Sequence, residues 1–253
     1  MHANLLQLSK KIRVGAVSYL NTKPLLYGLQ QHAVYGSIEL IEDYPANLAK
    51  ALQDNTIDIG LVPVAVIPRL PEAHIISDYC IGATGPVASV CIFSKVPMEQ
   101  IQTLYLDYQS KTSVNLARVL LKNYWKKEVQ LVEAPTNFID LIDGTAAAVI
   151  IGDRALDKYD SYPCRYDLAE AWISYTAKPF VFATWVSNKQ LDPNFIASFN
   201  EANKYGLAHI NEVIQTLEPS SIGYNLHDYF TKNISYTLDA SKKEGMAQFL
   251  YLL

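Results

Sequence analysis

The chain has 253 residues, half of them apolar and 18% charged, with a net charge of −4. That is enough core for one large α/β domain or two lobes of ordinary size. The acidic balance, with no basic run longer than a lysine pair such as Lys126-Lys127, excludes nucleic acid as the main partner. Cys80, Cys91 and Cys164 show no C-x-x-C spacing and fit a reduced, cytosolic protein.

At the N-terminus, MHANLLQLSKK has a short apolar core followed, not preceded, by lysines, which is not the order of an export signal. No apolar segment reaches the roughly 20 residues that cross a bilayer. A cytoplasmic protein without a membrane partner is therefore expected.

The first expected strand is Ile12 to Ser18, with a helix from about Thr22 in which Pro24 suits the first turn. IELIED reads as a strand, Ala46 to Asp54 as an amphipathic helix, and IDIGLVP and HIISDYC as two further strands. After a glycine-proline break, GATGPVASVCIFSK continues as a long apolar strand, and the pattern then restarts. TLYLD and VQLVE are strands around a helix from Ser113 to Lys126; Thr136 to Asp143 is a helix stopped by Gly144; AAAVIIG is a buried strand. PFVFATWVS forms a second long strand, followed by a helix over Pro193 to Leu217 and another over Ala240 to Leu253, capped by Asp239.

This alternation predicts a two-lobed α/β fold with mostly parallel sheets. Lobe one is expected over residues 1–90 and 185–253, and lobe two over 91–184. A ligand cleft between them follows, because ligands bind beyond the carboxyl ends of parallel strands.

Four polar clusters fall at such strand ends. In VSYLNTKPL, Ser18, Tyr19 and Asn21 supply donors and acceptors, although Asn21 or Thr22 could equally cap the next helix. GPVASV places Ser89 after a loop shaped by Gly85 and Pro86, either as a contact or as part of a hinge. In DYQSKTSVNLARVLL, Ser110, Thr112 and Ser113 gather at a helix start, where unpaired N–H groups and the dipole favour an anion. IIGDRAL puts Gly152 and Asp153 after a buried strand, Gly152 for close backbone approach and Asp153 as a cap or a ligand contact.

Neither a P-loop, a G-x-G-x-x-G pattern nor G-x-S-x-G occurs. The histidines at 2, 32, 74, 209 and 227 lack metal-ligand spacing, so no metal site is expected.

VSYLNTKPL, DIGLVP, GPVASV, LDYQSKTSVNLARVLL, IIGDRAL and AKPFVFATWV, in this order over Val14 to Val186, together resemble the chorismate dehydratase family of the futalosine route to menaquinone. A sister family that cleaves a cyclic futalosine derivative usually carries an SPCPNDT-like stretch in place of VSYLNTKPL. The family pattern often has arginine where this chain has Lys111, and a lysine there gives no bidentate contact.

The resemblance implies the fold of type II periplasmic solute-binding proteins and a cofactor-free dehydration of chorismate. In that role Asn21 would face the reacting ring, and Thr112 with Ser113 would hold a carboxylate. The proton acceptor would be either the enolpyruvyl carboxylate of the substrate or Asp153. The alternative class is a non-catalytic binding protein for a small carboxylate anion.

Overall fold

The first apolar run forms β1 (Ile12–Ala16), and a 3-10 turn over Leu20–Thr22 leads into α1 (Lys23–Gln31), where Pro24 occupies the first turn. The structure, a computed structural model, describes residues 11–217 and 223–253. Apart from Lys11, the N-terminal stretch read for an export signal lies outside these residues.

The chain continues through β2 (Ile38–Glu42), α2 (Pro45–Gln53), β3 (Ile59–Pro63) and β4 (His74–Ala83). It then runs through β5 (Val90–Ser94), β6 (Thr103–Leu106), α3 (Lys111–Asn123), β7 (Gln130–Glu133) and β8 (Ala146–Ile151). Next come α4 (Asp153–Asp157), β9 (Cys164–Asp167), α5 (Leu168–Thr176) and β10 (Phe180–Ser187). The last elements are α6 (Pro193–Ala208), α7 (Ile210–Thr216), α8 (Leu226–Asp228), a π-helical turn Tyr229–Asn233, β11 (Ser235–Thr237) and α9 (Ala240–Tyr251).

These strands build two sheets. The first has the order β11-β4-β10-β3-β1-β2, with β1 parallel to both β2 and β3, and β10 antiparallel to β3 and β4. The second has the order β7-β6-β8-β5-β9, with β6 parallel to β7 and β8, and β5 antiparallel to its neighbours. In each sheet, three parallel strands from a local α/β unit are extended by the long apolar strands. The chain passes from the first sheet to the second between Ala83 and Val90 and returns between Thr176 and Phe180. The return thus precedes the expected boundary at 184/185, because all of β10 belongs to the first sheet.

Local chemistry explains the departures from the expected elements. Thr136 to Asp143 yields only a 3-10 turn, Phe138–Leu141, since so short a segment does not recover the cost of helix nucleation. The run from Pro193 to Leu217 breaks at His209. Its Nδ1 lies 2.7 Å from the Tyr205 carbonyl, so its backbone N–H turns to the Gly206 carbonyl at 3.2 Å. β9 and α5 were not anticipated. Asp167 joins them by accepting from the N–H groups of Ala169 and Glu170, and a third N–H, that of Ala88, ties the crossing loop to the same carboxylate.

Candidate active site

A cleft opens between the two sheets. Its apolar wall includes Leu61, Ile81, Val87 and Phe182, and its polar groups come from Tyr19, Asn21, Ser89, Gln109, Ser110, Ser113 and Gly152. Among the described residues no carboxylate, histidine or amine lines it. An anion there is met by neutral donors and by the start of α3 alone.

The expected cap by Asn21 or Thr22 is not made by a side chain. Thr22 is the N-cap of α1 without a side-chain cap bond, and its hydroxyl points instead at the Val17 and Tyr19 carbonyls. This folds VSYLNTKPL into a tight turn, which leaves the Asn21 amide in the cleft wall. The Asn21 carbonyl accepts a hydrogen bond from the Tyr236 hydroxyl at 2.9 Å, so β11 holds the turn from behind.

Ser89 is fixed by its own backbone. Its N–H donates to the Val87 carbonyl at 2.7 Å, and its carbonyl accepts from Gly152 N–H at 2.7 Å. Its hydroxyl oxygen lies 2.8 Å from that of Tyr229, which is fully buried. Burial pushes the Tyr229 phenol up, against hydrogen bonding from Ser89 and the approach of the Asn21 side chain. The phenol therefore stays protonated at any ordinary pH.

At the start of α3, the three serine and threonine hydroxyls do different things. Ser110 caps the helix by accepting from Ser113 N–H at 3.0 Å, and its own hydroxyl donates to Ser113 Oγ at 2.8 Å. Thr112 turns away from the cleft, and its Oγ1 accepts from Ala65 N–H at 3.2 Å. The N–H groups of Lys111 and Thr112 have no partner within the helix, as at any first turn. The Lys111 side chain is exposed and is not part of the cleft wall.

The remaining expected residues are placed as follows. Ser18 is exposed and outside the wall, because the turn that presents Asn21 points it to solvent. Gly152 adopts φ +65° and ψ −146°, a conformation open to glycine, with the Tyr19 ring 3.6 Å from where a Cβ would stand. Asp153 also lies outside the wall; its Oδ1 accepts from Leu20 N–H at 3.1 Å. Burial raises the Asp153 carboxyl, with the Leu20 bond, Lys23 and Arg154 opposing. The structure thus brings together Tyr19, Asn21, Ser89, Ser110, Ser113 and Gly152, and leaves Ser18, Thr112 and Asp153 off the wall.

Sequence reasoning did not find Gln109 in this wall or the groups behind it. Gln109 Oε1 accepts from the Tyr19 hydroxyl at 2.7 Å and from Arg154 at 2.9 Å, and Arg154 also pairs with buried Asp107 at 2.7 Å. Tyr229 and Tyr236 come from a segment that offers no motif. Only the strand-end positions of Asp107 and of Arg154, in LDYQ and IIGDR, were visible signals.

Two sheets around one cleft define an α/β protein of the periplasmic-binding-protein-like fold. A solved protein of Archaeoglobus fulgidus aligns with 96% of this chain and 97% of its own at a TM-score of 0.75 and 14% identity. A Candida albicans gene product, described as showing the generic periplasmic binding protein fold, aligns over 96% and 89% at a TM-score of 0.61 and 14% identity. The family model for menaquinone biosynthesis matches residues 12–253, and the chain belongs to that family. A chorismate dehydratase of Thermus thermophilus is 25% identical to it over 264 residues, covering 93% of each chain.

Proposed function

We propose that the protein is a chorismate dehydratase, a hydro-lyase that converts chorismate to 3-[(1-carboxyvinyl)oxy]benzoate and water on the futalosine route to menaquinone. The observation that carries this reading is the convergence of Asn21, Ser89, Ser110 and Ser113 on a largely apolar cleft, in a chain of the menaquinone biosynthesis family.

The reaction removes the ring proton beside the enolpyruvyl ether and expels the neighbouring hydroxyl, so that H and OH leave as water and the ring becomes aromatic. Aromatisation makes the step downhill. The protein has to orient a dianion and stabilise the charge that develops in the ring. Leu61, Ile81, Val87 and Phe182 offer the ring an apolar slot. The start of α3, with Ser113, holds one carboxylate through N–H groups and the helix dipole.

With no acid or base among the described residues of the wall, the proton acceptor is the enolpyruvyl carboxylate of the substrate itself, oriented by Asn21. Asp153 has a different occupation, the Leu20 N–H. The two sheets are read as the cores of two lobes that close on the substrate. The unpaired thiols of Cys80, Cys91 and Cys164 suit a reducing cytoplasm.

Incubation with chorismate, followed by proton NMR, tests this reading. Repeated turnover to a product matching authentic 3-[(1-carboxyvinyl)oxy]benzoate is expected. Stoichiometric binding without new aromatic protons would overturn it in favour of a small-carboxylate binding protein.

A further inference from the structure

Tyr229 stands behind Ser89, one of the residues that converge on the cleft. It opens the π-helical turn Tyr229–Asn233, a rare local geometry that recurs at functional sites. Its hydroxyl meets Ser89 Oγ at 2.8 Å.

Donor and acceptor roles follow from the chemistry of the two groups. A phenol is the stronger donor when it meets an aliphatic alcohol, so the Tyr229 proton goes to Ser89. The Ser89 oxygen, having accepted, sends its own proton elsewhere. No acceptor for that proton stands among the described residues, and the side of Ser89 that remains open is the cleft.

We propose that Tyr229 is a positioning residue whose hydroxyl donates to Ser89 and so aims the Ser89 O–H at a substrate oxygen. This rests on the dehydratase reading above. Tyr229 moves no proton in the reaction; it sets the direction of one already in place.

Tyr229→Phe keeps the ring and removes the bond. It is expected to lower kcat about tenfold, the scale of one hydrogen bond, with KM within about twofold of wild type. Ser89→Ala should lower kcat at least as much, and adding Tyr229→Phe to it should cost nothing further, because the two residues act as a unit. A wild-type kcat in Tyr229→Phe, or a double variant a further tenfold slower than Ser89→Ala, would overturn the proposal.

A merely structural role would appear as a lower Tm and as additive losses. Should Tyr229→Phe fail to fold, the double variant supplies the comparison, since it removes both partners and leaves no unpaired polar group. Equality with Ser89→Ala is then the supporting result.

Wild type separates this inference from the reading beneath it. If wild type binds chorismate without turnover, the dehydratase reading fails, and the positioning role is read in Kd: an unchanged Kd in Tyr229→Phe overturns it. Wild type that neither binds nor turns over chorismate overturns both.

Discussion

The Asp153 carboxylate accepts a hydrogen bond from the backbone N–H of Leu20 at 3.1 Å, across the gap between the two sheets. A carboxylate held this way is a strut between α4 and the turn that carries Asn21. An asparagine at the position keeps a carbonyl oxygen for the same N–H.

Asp153→Asn is therefore expected to retain turnover within about threefold, whereas a lost general base would cost about 10²–10⁴-fold. Steady-state kinetics with chorismate distinguish the two. Because burial raises this carboxyl, its contribution to stability is present below the ordinary carboxylate range and fades as pH rises through the raised value. Stability of the variant at neutral pH should accordingly equal or slightly exceed that of wild type in a urea melt.

Asn21→Asp puts a negative charge against a dianionic substrate and removes the amide N–H. A fall in kcat/KM of about 100-fold or more is expected. The fold should persist, because the turn is held by the Thr22 hydroxyl and by Tyr236 bonding the Asn21 backbone carbonyl. Full activity in this variant would reject the orienting role of Asn21.

Thr112 and Ser113 should part company on mutation. Thr112→Ala strands the buried Ala65 N–H and is expected to lower stability by about 1–3 kcal/mol, with KM nearly unchanged. Ser113→Ala should raise KM about tenfold if a carboxylate sits there, with a smaller effect on Tm. Thermal melts and kinetics on both variants check the pair. A rise in KM for Thr112→Ala equal to that for Ser113→Ala would return Thr112 to the site.

Asp58 contributes to the loss of stability in acid. Burial alone would raise this carboxyl, but hydrogen bonds from Arg13 and Lys189 outweigh it and hold it well below the usual carboxylate range. Its contribution is fully present above the unfolded value of about 4 and is lost as pH falls below it. Asp58→Asn should destabilise at pH 7 by about 1–2 kcal/mol, since it removes the charge that Arg13 and Lys189 pair with while both keep access to solvent. The difference from wild type should shrink as the pH of a denaturation series drops toward 3.

Alternation of apolar runs made β1 to β8 and β10 legible, because strands buried in a sheet keep their periodicity whatever packs on them. The clusters at their ends were legible for the same reason. Within each cluster, however, the orientation of single side chains was not. Ser18 and Asn21 are three residues apart, and a 3-10 turn sends one to solvent and the other to the cleft. Thr112 and Ser113 are neighbours on a helix and so point about 100° apart. The break at His209 depends on a ring nitrogen finding a carbonyl four residues back, which no apolar pattern encodes. Tyr229 and Tyr236 escaped notice because their partners lie 140 and 215 positions away.

That last separation bears on how the protein is made. The turn bearing Asn21 is translated ahead of the rest of the cleft wall, yet its anchor on Tyr236 emerges 215 positions later. Vectorial folding can set β1, β2 and β3 early, while the cleft wall stays unbraced until β11 has cleared the ribosome. A nascent chain arrested after α7 would carry every residue of the cleft wall and still lack the brace that holds Asn21 in place.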